Sequence, residues 1–266
     1  MSCAICSGRP PRGSSTSRSE VPGYRSRVPF SLLPAIDLTG GRLGVFTSDG
    51  PMPLDAYDGD PIAAADAFRD AGARWIHVVD MDLAFTGEAR NLDIVRAIAK
   101  LDGVRVQASG GVRTQEHVEA FRAAGSGRIV LSSAALGDPA AAEALLVDAR
   151  PGEMVVAIEV DAGRIRSRGV DPVDLELMAT LGWLRGIGAR SLLVTALARV
   201  GTGTGPDVDV IRRVSRSGVE TLAAGGVVSL NDLRSVRAAG AVGAVVGRGA
   251  IEGSLDLQAA FMWAEV

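Results

Sequence analysis

The side chains best suited to proton transfer stand at the ends of short apolar runs. Asp37 follows the run at 32–36, Asp80 and Asp82 follow 75–79, and Glu159 follows 154–158. A carboxylate at the tip of a buried strand is a good candidate for a general base. Its competing role is to accept hydrogen bonds from loop N–H groups. Asp37 reads as the catalytic one, and Asp80 and Asp82 as structural or ligand-positioning residues. His77 lies mid-run among apolar neighbours and reads as core. His117 lies on a helical stretch and reads as solvent-facing. The two do not form a metal cluster, so metal catalysis is not expected.

Glycine supplies the second chemical signal. Gly110-Gly111 and Gly225-Gly226 each follow an apolar run and precede a helical one. Glycine lets backbone approach a phosphate closely, and a helix N-terminus offers free N–H groups and a favourable dipole. Ser132-Ser133 and Gly247-Arg248-Gly249 end the next run in each half of the chain. Tight turning alone would explain one such pair. Recurrence at matching places predicts two phosphate grips, suited to a ligand phosphorylated at both ends.

The elements that position these groups alternate regularly. Strands are predicted at 32–37, 75–80, 104–108, 128–131, 154–159, 191–195, 219–223 and 244–246, separated by Ala/Leu/Arg-rich amphipathic stretches. Such alternation implies parallel βαβ units. Asp60-Pro61, Asp138-Pro139 and Gly205-Pro206 read as helix starts, and Gly72, Gly125 and Gly240 as helix ends. The sequence also repeats. Ala108-Ser109-Gly110-Gly111-Val112 matches Ala223-Ala224-Gly225-Gly226-Val227, and Ala35-Ile36-Asp37-Leu38 matches Ala157-Ile158-Glu159-Val160. The fold expected is α/β: a (β/α)8 TIM barrel made of a duplicated half-barrel, of the ribulose-phosphate-binding type, with its site at the strand C-termini.

Composition agrees. The chain has 266 residues, 47% of them hydrophobic but only 4% aromatic, so its core must be Ala, Val, Leu and Ile. A formal net charge of −3 argues against nucleic-acid binding through phosphate neutralisation. No apolar run reaches the length of a membrane span. Cys3 and Cys6, the only cysteines, make no disulfide framework and only a weak metal signal. A cytoplasmic monomer without cofactor, taking a small phosphorylated substrate, is expected. Residues 1–30 are rich in Ser, Arg, Pro and Gly and read as a disordered tail before a barrel at 31–266.

The run Leu33-Pro34-Ala35-Ile36-Asp37-Leu38 resembles the first strand of the ProFAR isomerase family of histidine biosynthesis. The resemblance extends through Val79-Asp80-Met81-Asp82-Leu83-Ala84-Phe85, Ser109-Gly110-Gly111-Val112-Arg113, Thr195, Gly201-Thr202 and Val246-Gly247-Arg248, over essentially all of 31–266. Arg166-Ser167-Arg168-Gly169 is similar to an arginine-containing loop of the actinobacterial bifunctional isomerase, which also acts on phosphoribosylanthranilate. The resemblance implies an Amadori rearrangement of a bis-phosphorylated aminoaldose, with Asp37 as base and Thr195 at the sixth strand tip. It also implies that Asp82, Arg113, Arg168, Gly201 and Thr202 touch substrate.

Several chemistry positions depart from the family. The Asp-Gly-Thr that carries the family's acid reads Val200-Gly201-Thr202. The sixth strand tip reads Thr195-Ala196, and Glu159 replaces an aspartate. Val45 and Val170 stand at the loop arginine and loop tryptophan positions. Three readings follow: an isomerase whose acid is Asp49, Asp161 or Glu159, a paralogue with another phosphorylated substrate, or a non-catalytic phosphosugar binder. The segments at 47–58 and 161–172 are predicted to close over a ligand.

Overall fold

A computed structural model describes residue 1, residues 29–47 and residues 50–265. Cys3, Cys6, Asp49 and most of the predicted tail lie outside the described residues.

Eight strands run parallel: β1 (Ser31–Thr39), β4 (Trp75–Asp80), β5 (Arg105–Ser109), β6 (Arg128–Leu131), β7 (Met154–Asp161), β10 (Ser191–Ala196), β11 (Glu220–Ala224) and β12 (Gly243–Val246). They pair in chain order, and β12 returns to β1, so the sheet closes. This is the (β/α)8 barrel predicted. Alternate side chains divide between two cores. Leu33, Val130, Val155, Leu193, Leu222 and Val245 fill the barrel interior, whereas Ile36, Ile76, Val106, Ile158 and Val194 pack outward beneath the helices. The inner layer plugs the barrel and leaves its C-terminal end open.

Both halves carry an antiparallel extension where loops are expected from the sequence. In the first, β2 (Arg42–Thr47) folds back on β1 and β3 (Gly50–Pro53) on β2. In the second, β8 (Arg164–Arg166) folds back on β7 and β9 (Asp174–Glu176) on β8. Short strands over a barrel mouth carry too few residues to show a clear period.

Helix starts follow capping chemistry. Asp60 caps α1 (Pro61–Asp70), and Asp80 caps α2 (Met81–Thr86). The helix α3 (Leu92–Ala99) leads into β5. Thr114 caps α4 (Gln115–Ala123) and Asp138 caps α5 (Pro139–Val147). Glu176 caps α6 (Leu177–Gly186). Gly205-Pro206 is not a helix start: Asp207 caps α7 (Val208–Ser215), because its carboxylate accepts from Val210 N and glycine has no side chain to do so. Ser229 caps α8 (Leu230–Ala238), the counterpart of α4 in the second half. The short α9 (Arg248–Ile251) follows β12, and α10 (Leu257–Ala264) ends the described chain beside the start of β1. Phe30, assigned to the tail by composition, is buried edge-on against Trp263, and its N–H donates to Ala264 O. Among the described residues no helix is long and apolar enough to cross a membrane.

Candidate active site

A cavity of about 490 Å³ opens at the C-terminal ends of the barrel strands. Of the residues predicted for the site, Asp37, Thr195, Glu159, Arg168, Gly201 and Thr202 line it. So do both glycine pairs, Ser132, Ser133, Gly247 and Arg248. Strand closure brings them together, since β1 and β7 put their tips on opposite sides of one mouth.

Asp37 faces the cavity, and no hydrogen bond to its carboxylate is found among the described residues. Burial pushes its pKa up from 3.8 to about 6, and the Arg168 guanidinium pulls the other way. Glu159 lies at the matching place in the second half but has a fixed partner. Arg168 Nε donates to its Oε1 at 2.7 Å and Arg168 N to its Oε2 at 3.3 Å. The guanidinium carbon also sits 4.1 Å above the Phe46 ring, and Phe46 packs 5.1 Å from Phe85. Phe46 comes from the β2 extension and Arg168 from the segment after β8, so the two extensions meet over the mouth.

The glycine pairs serve close packing as well as an open wall. A Cβ on Gly110 would lie 2.1 Å from Asp80 O, and one on Gly226 2.2 Å from Gly205 O. Both residues have positive φ, 107° and 82°. The two glycine loops differ in the charge beside them. Arg248 stands near the second, held by Glu252 at 2.7 Å and by the Gly201 carbonyl. In the first, Ser132 Oγ caps Ala134 N, and Ser133 Oγ donates to Ala157 O while accepting from Glu159 N.

Two predicted residues stand off the cavity wall. Asp82 accepts from Gly40 N at 2.8 Å and Asn91 Nδ2 at 2.9 Å, tying the β1–β2 turn to α2. Arg113 pairs with Asp171 at 2.7 Å. Asp80 is fully buried and accepts from Leu83 N and from Asn91. Burial pushes its carboxyl pKa up, against those hydrogen bonds. Asp161 pairs with Arg166 at 2.8 Å and is not on the wall. Val45 and Val200 are on it, as apolar patches where the family has charge.

Sequence reasoning missed His77. It is buried, yet it lines the cavity beside Ser109, Phe46 and Phe85. Burial pushes its pKa down from 6.5 to about 4. Period two was the available signal: His77 shares a strand face with Trp75 and Val79, which point into the barrel. His117 is half-buried, with Nδ1 accepting from Arg113 N at 3.4 Å, because α4 turns it back over the Gly110-Gly111 loop.

Residues 31–256 match the histidine biosynthesis protein family. A relative from Rubrobacter xylanophilus is 38% identical over 244 residues, covering 87% of this chain and 96% of its own. One from Symbiobacterium thermophilum is 37% identical over 242 residues, covering 86% and 94%. One from Moorella thermoacetica is 35% identical over 235 residues, covering 86% and 96%. Each is named 1-(5-phosphoribosyl)-5-((5-phosphoribosylamino)methylideneamino) imidazole-4-carboxamide isomerase.

Proposed function

The chain belongs to the histidine biosynthesis protein family, and from that premise we propose that it is the phosphoribosyl aminoaldose–aminoketose isomerase named in those relatives. The observation that carries this reading is Asp37, its pKa raised to about 6 by burial, in a cavity flanked by two Gly-Gly loops.

The Amadori rearrangement needs a base for the sugar C2 proton and an acid for the ring oxygen. Asp37 takes the first role: it is ionised at neutral pH, yet basic enough to hold the proton it removes. The two grips hold a phosphate at each end of the ligand, with Arg248 supplying fixed positive charge at one of them. Thr195, beside Glu159 in the β7–β10 register, contacts the sugar between them. Val200 cannot transfer a proton. Of the candidate acids among the described residues, Glu159 is the one on the cavity wall, and it serves the ring oxygen only when Arg168 gives up its contacts. The aromatic pair Phe46 and Phe85 under Arg168 also favours a flat aromatic aglycone, and with it phosphoribosylanthranilate as a second substrate. Both halves of the cavity come from one chain, so a single copy supplies the whole wall.

Purified full-length protein assayed on both phosphoribosyl substrates tests this. Turnover of the imidazole carboxamide substrate, abolished in Asp37→Asn, is the expected result. Phosphosugar binding without turnover of either substrate would sink the reading and leave a binding protein.

A further inference from the structure

Behind the first Gly-Gly loop lies a buried polar chain that the isomerisation steps leave unused. In the parallel pairing of β4 with β5, His77 lies opposite Gln107 and Val79 opposite Ser109. Gln107 and Ser109 are two residues apart and share a strand face. Gln107 Nε2 is 3.0 Å from His77 Nδ1, and His77 Nε2 is 3.2 Å from Ser109 Oγ. Gln107 is fully buried and away from the cavity wall, whereas His77 and Ser109 are on it.

The direction of this chain decides what Ser109 offers a ligand. A neutral imidazole has one donor and one acceptor nitrogen. His77 is neutral because burial pushes its pKa down to about 4. If the Gln107 amide nitrogen faces Nδ1, the imidazole proton must sit on Nε2. Ser109 Oγ then accepts that proton, and its own hydroxyl hydrogen is free. If the amide is turned over, Nδ1 carries the proton, and Ser109 spends its hydrogen on Nε2. Gln107 Oε1 is buried without a partner. Turning the amide would place its two N–H donors in that unpartnered spot, and an under-satisfied carbonyl is better tolerated than an orphaned N–H.

We propose that Gln107 is a positioning residue: it fixes His77 as the Nε2–H tautomer and so leaves the Ser109 hydroxyl as a donor to the ligand held at Gly110-Gly111. The inference rests on the cavity being the isomerase site. It adds a donor to the grip that lacks an arginine, without adding charge beside Asp37.

The chain has only two histidines, so long-range 1H–15N correlation resolves each tautomer, with His117→Asn giving the assignment. The full-length protein at pH 7 should show His77 as Nε2–H. In Gln107→Met the donor to Nδ1 is gone and the Nδ1–H form should gain population. KM should then rise about tenfold, as in Ser109→Ala, with a smaller change in kcat. The double variant should be no worse than Ser109→Ala alone, because both changes remove the same hydrogen bond. An Nδ1–H tautomer in the wild type overturns the proposal even if Gln107→Met does not fold. Independent, multiplying effects of the two substitutions overturn it as well. If wild-type protein turns over neither substrate, the isomerase reading fails by itself. The same cycle is then read on inorganic phosphate affinity, where loss of the tautomer preference or of non-additivity still overturns the relay.

Discussion

The two half-barrels share a backbone plan and differ in side chains. Each begins with a strand that folds back on itself, β1 with β2 and β7 with β8. Each has a third strand followed by Gly-Gly at positive φ, in which one glycine, Gly110 in the first half and Gly226 in the second, lies too close to a neighbouring carbonyl to admit a Cβ. The carboxylates at the two first-strand tips have opposite surroundings. Asp37 has no fixed partner among the described residues and an elevated pKa, whereas Glu159 is clamped by Arg168. The cavity wall beside the two glycine loops diverges too, with Arg248 in the second half and the Ser132 and Ser133 hydroxyls in the first. Duplication kept what backbone contact enforces and released what only a ligand would enforce.

The sharpest way to break this contrast is at the two carboxylates. Asp37→Asn should lower kcat by about 10³-fold, within the range for loss of a general base. In the wild type, kcat/KM should rise with pH through about 6 as Asp37 ionises. The stability effect has the opposite sign. A carboxyl whose folded pKa is raised from 3.8 to about 6 destabilises the fold as pH climbs through that window and fully above it. Asp37→Asn should therefore unfold at a higher temperature than wild type at pH 7, and the gap should vanish near pH 3. An equal gap at both pH values would show that Asp37 is not buried as an acid.

Each loop has one glycine packed against a carbonyl, the first of the pair in one half and the second in the other, and substitution there should hurt both. Gly110→Ala and Gly226→Ala each force a Cβ to within 2.2 Å of a carbonyl oxygen at positive φ. Each should destabilise the protein by about 3 kcal/mol, read as paired shifts in the urea midpoint. A large loss in one half only would show that the two loops are not packed equally tightly. Val200→Asp has a smaller expected effect and sharpens the contrast instead. A carboxylate returned to the cavity wall of the second half should raise kcat about tenfold, a fraction of what a well-placed acid supplies. No gain would mean that Glu159 already serves the ring oxygen.

Most of the scaffold was legible because its signals are local. Strands β4 and β6 match the predicted limits, since buried apolar runs end at charged or turn residues. Asp60 and Asp138 cap where predicted, because a carboxylate before proline fixes a helix start by itself. The repeated Gly-Gly pairs located both sides of the cavity. What was not legible depends on partners distant in sequence. The role of Asp82 hangs on Gly40 and Asn91, and that of Arg113 on Asp171. His77 read as core because a strand interior and a cavity wall share one burial pattern until the barrel closes. Gln107 carried no signal at all, being one polar residue in an apolar strand.

The smallest effect expected concerns the strap that joins the halves. After β8 the chain crosses onto the first half, where Val170 N donates to Ala84 O at 3.0 Å and Gly169 lies so close that a Cβ would be 2.1 Å from the same oxygen. Arg113 and Asp171 pair at the edge of this crossing, and Asp171 is 77% exposed. An exposed pair gains little Coulomb energy in water and gives up side-chain freedom to form, so it contributes about 0.5 kcal/mol or less. Asp171→Asn should then leave the melting temperature within about 2 °C of wild type and KM within about twofold. The crossing is held by backbone packing, which this substitution does not touch. A several-fold rise in KM would show instead that the pair holds Arg168 over Phe46, and that the second half reaches the ligand through its charges rather than its backbone.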